Sequence, residues 1–206
     1  MNRNLIFTIS RQYGTGGHDI GVELAKSMGL AFYDKELIAL AAQQSGISKD
    51  LFENADEMPS NSFLYSLSMG THTLGAGGVT QFGELLTNDK LFILQSQVIR
   101  SLADKGPCVI VGRCADYILR DCPRCVNVFI HADTAQREKH IQETEGLSEQ
   151  AARDKVRKMD KKRASYCNYY SDVPWGIASS YHLCLDVTRI TVSAAAELIR
   201  LYSKGL

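Results

Sequence analysis

The sequence predicts an α/β fold in which a five-stranded parallel sheet is covered by helices on both faces. Three observations predict it. Short, continuously apolar runs recur along the chain, the pattern of strands buried on both sides. Stretches with helical spacing separate these runs, as crossover connections require. The first run, residues 5–9, passes through a glycine turn, Gly14-Thr15-Gly16-Gly17, straight into a helical pattern.

The elements follow in order. After the strand at 5–9, Ile20, Leu24 and Met28 recur at helical spacing over 17–28, and Gly29 stops the helix. Residues 30–33 form a second strand, and Asp34 caps a helix over 35–45. The stretch 46–90 breaks the rhythm with Pro59, a Ser/Asn patch and a glycine segment at 70–78, and reads as an insert, part helical and part loop. Helical periodicity returns over 82–103. Gly106-Pro107 introduces a strand at 108–111, with further strands at 126–130 and 183–185. Ser148 opens one helix, and Thr191 opens another that runs to Tyr202.

Composition narrows the function classes. The 206 residues suit one domain with a substantial core. Lys+Arg and Asp+Glu are equal at 23 each, which argues against a general nucleic-acid or membrane-surface binder. No apolar run approaches the ~20 residues of a membrane span, and the N-terminus has no signal pattern. The expected address is the cytoplasm. The six cysteines therefore read as thiols, with Cys108 and Cys184 as core residues. Cys122-Pro123-Arg124-Cys125 has no second pair to complete a zinc site and no thioredoxin-like context.

The glycine turn carries the strongest chemistry. Strand, glycine turn and helix together bind phosphate, because backbone N–H groups converge on the anion at the positive end of a helix. Gly14, Thr15, Gly16, Gly17 and His18 are the candidate phosphate-binding residues. The pattern G-x-x-x-x-G-K-[ST] needs a lysine for the β/γ-phosphates. Gly17 stands at that position here, followed by His18. A dinucleotide turn is the other option: Gly14, Gly16 and Asp34 fit it, but Asp19 replaces its third glycine.

A second concentration of charge lies at 153–163, where Arg153, Arg157 and Lys161 share i, i+4 spacing on one helix face, with Lys155, Lys158, Lys162 and Arg163 around them. Its ordinary reading is a solvated face. Its functional reading is a lid whose cations close over phosphates, with one of them, or Arg11 before the turn, replacing the missing lysine's charge. Gly112-Arg113-Cys114-Ala115-Asp116 follows the third core strand, where open parallel sheets bind ligands. Arg113 is suited to bidentate phosphate contacts, against an ordinary edge salt bridge. Asp116 is suited to orienting it or to holding Mg²⁺ through water.

These residues resemble the cytidylate kinase-like family of P-loop nucleoside monophosphate kinases. The resemblance lies in TISRQYGTGGHDIG (8–21), FYDKELI (32–38), VIVGRCADYIL (109–119), DKKRASYCNYY (160–170) and YHLCLDVT (181–188). It implies a P-loop NTPase-like three-layer sandwich in one domain over 1–206, with an acceptor-binding insert at 35–100 and a lid at 148–178. Gly14–His18 would hold the donor phosphates. Asp34, Arg113 and Asp116 would face the acceptor, and Arg157, Lys161 and Arg163 would belong to the lid. Together with Arg11, the other candidate for the substitute charge, these lid cations are the candidate catalytic residues. The chain differs from well-characterised cytidylate kinases at Gly17, where they carry lysine, and at Cys114, where they carry aspartate.

The expected activity is transfer of the γ-phosphoryl group of ATP to a nucleoside monophosphate such as CMP, or to another small acceptor, with Mg²⁺ held through the ATP phosphates and water. Its partners would be small-molecule nucleotides, with no nucleic acid or membrane, and the oligomeric state is open. The absent lysine keeps a rival in view: a nucleotide-binding sensor or assembly protein without turnover.

Overall fold

The computed structural model describes residues 4–34 and 78–205, with the backbone alone over 78–88. Five strands, β1 (Ile6–Arg11), β2 (Ala31–Tyr33), β3 (Cys108–Val111), β4 (Cys125–His131) and β5 (Leu183–Asp186), pair in parallel in the order β2-β3-β1-β4-β5. The described helices are α1 (Gly17–Met28), α2 (Gly78–Lys105), α3 (Ala115–Ile118), α4 (Thr134–Glu145), α5 (Glu149–Tyr170) and α6 (Val192–Ser203).

Continuous apolarity in the strands becomes two cores, one on each side of the sheet. Alternate residues along β1 and β3 point to opposite faces. Ile6, Cys108 and Ile110 pack with Leu91, Val98 and Ile99 of α2. Phe7, Ile9, Val109 and Val111 pack with Ile20 and Leu24 of α1 and with Ala195 and Ile199 of α6. The result is the three-layer α/β architecture expected from the sequence. Ile110 has no exposed surface. Ile110→Ala should therefore lower stability by about 2–5 kcal/mol, read as a shifted urea midpoint with unchanged slope.

Local signals set the helix ends. Gly29 ends α1 in the left-handed conformation. The hydroxyls of Ser148 and Thr191 accept from the Ala151 and Ala194 N–H groups, as their caps predict. Several bounds differ from the sequence reading. β1 continues past Ile9 through Ser10 to Arg11, because its ladder with β4 runs to Ile130. This makes Arg11 the last strand residue, two positions beyond the bound read from the sequence. Cys184 is only half-buried, because β5 is the sheet edge. The helix read at 82–103 extends over Gly78–Lys105. From Leu91 onward it joins the core, although the sequence reading placed 35–100 in an insert. The helix expected at 35–45 and the loop through 77 lie outside the described residues. Among those described, no helix is long and apolar enough to cross a membrane.

Candidate functional site

β1 occupies the middle of the sheet, and the chain's order of succession reverses around it. Ligands in open parallel sheets bind beyond the strand carboxyl ends at such a point. Here β1 delivers the glycine turn. The Gln12 N–H still bonds the Ile130 carbonyl at 3.0 Å, after which the backbone leaves the sheet. Gly14 and Gly16 take left-handed backbone angles, φ 80° and 69°. The Thr15 hydroxyl donates to the Gln12 carbonyl at 2.9 Å and closes the turn. α1 begins immediately, and among the described residues no side chain caps its N-terminal N–H groups. Those groups face the turn with the helix's partial positive charge.

The turn is braced from behind. Asp160, on α5, accepts from the Tyr13 N–H at 2.7 Å and from Arg137 Nη1 at 2.6 Å. Arg137, on α4 and 4% exposed, also donates to the carbonyls of Tyr13 and Ala132. The Tyr13 hydroxyl donates to Glu145, which pairs with Lys155. Burial and this Glu145 bond push the Tyr13 phenol above its ordinary value. Arg163 donates to the Arg11 carbonyl at 3.0 Å and lies over the Tyr13 ring.

In front of the turn lies a cleft of about 530 Å³, lined by residues 11–18 with Asp34, His140, Ile141 and Arg163. Asp34, at the end of β2, is buried, and its carboxylate lies 2.7 Å from His18 Nδ1. His18 is thereby oriented by Asp34. The Arg11 side chain runs across Gly17 toward Gly112, the first residue after β3. Gly112, Arg113 and Cys114 form a left-handed turn with φ 75°, 60° and 51°. This turn buries Arg113 near the Tyr166 phenol and the charges of Arg11 and Asp34. Burial pulls the Arg113 guanidinium down to about 10, and the nearby Arg11 charge acts in the same direction.

The structure thus brings together Arg11, Gly14–His18, Asp34 and Arg163 in one cleft, with Arg113 buried beside Arg11 and Asp34. It does not bring the other candidates there. Asp116 accepts from Ser10 Oγ at 3.3 Å, and burial raises its carboxyl, with Tyr181 also bonding to it. Arg157 and Lys161 are exposed and do not line the cleft. Arg153, on their face, pairs with Glu138 and Glu149. The sequence reading missed Gln12, Tyr13, His140 and Ile141 as lining residues and the Arg137–Asp160 brace. Only their nearness to the turn or to the basic helix could have flagged them. Among the described residues, no group of three or more His, Cys, Asp or Glu side chains could hold a metal ion.

Comparisons with known proteins agree with the fold. The model of the cytidylate kinase-like family matches residues 6–189. A search of the curated proteins found no match. Among solved structures, an uncharacterized protein from Eubacterium ventriosum is similar over 98% of this chain and 99% of its own, at 28% identity and TM-score 0.74. A shikimate kinase from Bacteroides thetaiotaomicron shares the fold at 10% identity and TM-score 0.56, covering 97% of this chain and 98% of its own. A gluconokinase from Sinorhizobium meliloti does so at 13% identity and TM-score 0.51, covering 99% and 97%.

Proposed function

Because the chain belongs to the cytidylate kinase-like family, we propose that it is an ATP- and Mg²⁺-dependent phosphotransferase acting on a nucleoside monophosphate or another small acceptor. One observation carries the reading. A glycine turn at the head of α1 opens into a cleft where two arginines, Arg11 and Arg163, and one buried carboxylate, Asp34, meet.

Phosphoryl transfer asks for positioning and charge neutralisation more than covalent chemistry. The N–H groups of Gly14–His18 would cradle the donor phosphates, and Arg163 would meet charge that develops on the transferring group. Arg113, buried beside Asp34, would hold the acceptor. Mg²⁺ usually takes one or two carboxylates plus substrate phosphates. Asp34 supplies a carboxylate, while His18 stands where the P-loop pattern has a hydroxyl, so the donor set fits an ion held mainly by ATP and water. Bound there, Mg²⁺ would neutralise β- and γ-phosphate charge. A phosphate acceptor needs no base. For a hydroxyl acceptor, Asp34, oriented by His18, is the group suited to take the proton.

The test is ADP release from Mg-ATP across a panel of nucleoside monophosphates, sugars and small polyols. Acceptor-dependent turnover is expected. Arg163→Ala should lower kcat/KM by about 10²-fold, and Arg157→Ala should leave it within about threefold, as for an exposed surface charge. ATP binding without turnover on any acceptor would favour the sensor or assembly reading.

A further inference from the structure

We propose that the phosphate-binding cation of this loop has been transposed, so that Arg11 at the end of β1 occupies the space and does the work of the lysine absent from position 17. The inference rests on the phosphotransferase reading and assigns Arg11 the polyphosphate end of a nucleoside triphosphate.

The first support is the register of the motif. With Gly16 as the second glycine of G-x-x-x-x-G-K-[ST], the first glycine position falls on Arg11 and the lysine position on Gly17. A cation stands where the pattern has glycine, and glycine stands where it has the cation. A loop that had simply lost function would show the second change without the first.

The second support is steric. Gly17 lies outside the left-handed region, so its backbone makes no demand for glycine. Space does make that demand. A Cβ on residue 17 would lie 2.8 Å from Arg11 Cβ and 2.9 Å from Arg11 Cγ. The Arg11 stem fills the volume in which a lysine side chain would begin. Farther out, the guanidinium rests against Gly112, where a Cβ would overlap Nη1 and lie 3.0 Å from Cζ. Two glycines from separate elements therefore clear a path for one arginine, whose residue lines the cleft.

The third support is electrostatic. Arg113 lies close enough for the two guanidiniums to repel, and Arg163 is bonded to the Arg11 carbonyl. Asp34 offsets part of this charge, and cations gathered at a glycine turn still favour an anion there. A guanidinium also offers two donors to phosphate oxygens, where lysine offers a point charge.

Arg11→Met keeps the stem and removes the charge, so the fold should survive. Its affinity for ATP and for inorganic tripolyphosphate, measured by calorimetry, should drop about tenfold or more, and turnover should fall about 10²–10³-fold. The double variant Arg11→Gly/Gly17→Lys returns the glycine and the lysine to their places in the motif, with His18 unchanged, and should recover both to within about tenfold of the parent. Gly17→Lys alone should fail, because the stem already occupies the site. Folding of each variant is checked by its thermal transition. Parental binding and turnover in Arg11→Met would overturn the transposition while leaving the kinase reading intact. A folded double variant with no recovery would overturn it as well. A parent that binds no ATP would overturn both readings together.

Discussion

Asp160→Ala is expected to lower stability by about 3–5 kcal/mol, the range for breaking a buried ion pair from one side. Arg137 is almost fully enclosed, and Nη1 reaches Asp160 at 2.6 Å. Removing the carboxylate leaves a buried guanidinium whose partners among the described residues are two carbonyls and the Thr134 hydroxyl. It also removes the acceptor of the Tyr13 N–H, so two donors lose one partner at once. Asp160→Asn should lose less, because its amide oxygen can still accept from Tyr13. In a double-mutant cycle with Arg137→Met, the two losses should sum to clearly more than the double variant shows. Urea unfolding measures all four species. A loss below about 1 kcal/mol would class the pair with exposed salt bridges and remove the brace. Loosening the brace should also raise the KM for ATP, since Asp160 ties α5 to the turn itself.

The sheet was legible because its physics is local. Five apolar runs separated by helical spacing can bury both faces in only a few ways, and Gly29, Ser148 and Thr191 mark helix ends through bonds to near neighbours. The site was legible in part for the same reason: Gly14–Gly17 act within their own turn, and Asp34 sits at a strand end. The brace was not legible. Asp160 and Arg137 sit in helices rich in charge, where most such residues are solvated, and nothing local separates these two from Arg157 or Lys161. What separates them is a crossing of α4, α5 and the turn, which brings Tyr13 to a residue 147 positions away. Arg11 was ambiguous for a different reason. The apolar run stops at Ile9, which leaves Arg11 outside the strand legible in sequence, and only pairing with β4 carries the strand on to place its side chain over Gly17. The left-handed turn at Arg113 was hidden because Gly112 alone advertises it, while Arg113 and Cys114 adopt angles their residue types disfavour.

That disfavoured turn gives the second large effect, a separation of stability from activity. Arg113→Gly should leave stability within about 1 kcal/mol of the parent or above it, while turnover falls about 10²–10³-fold. Two opposing contributions set the stability. The left-handed angle of φ 60° costs a side-chain-bearing residue about 1–2 kcal/mol, and glycine avoids that cost. Burial works against the charged guanidinium and pulls it down to about 10, so its removal relieves a desolvation penalty. Against these stand the lost packing of the stem and the lost attraction to Asp34, which His18 still partners. Nothing offsets the functional loss, since no other described arginine is buried near both Arg11 and Asp34. Arg113→Lys should recover charge without the planar fork, and so only part of the activity. Thermal unfolding and ADP release on the same samples decide the matter. A collapse in stability with parental turnover in the folded fraction would make Arg113 a packing residue. An unchanged transition with lost turnover would show that the strained turn after β3 is kept for the guanidinium it holds beside the cleft, against the preference of its own backbone.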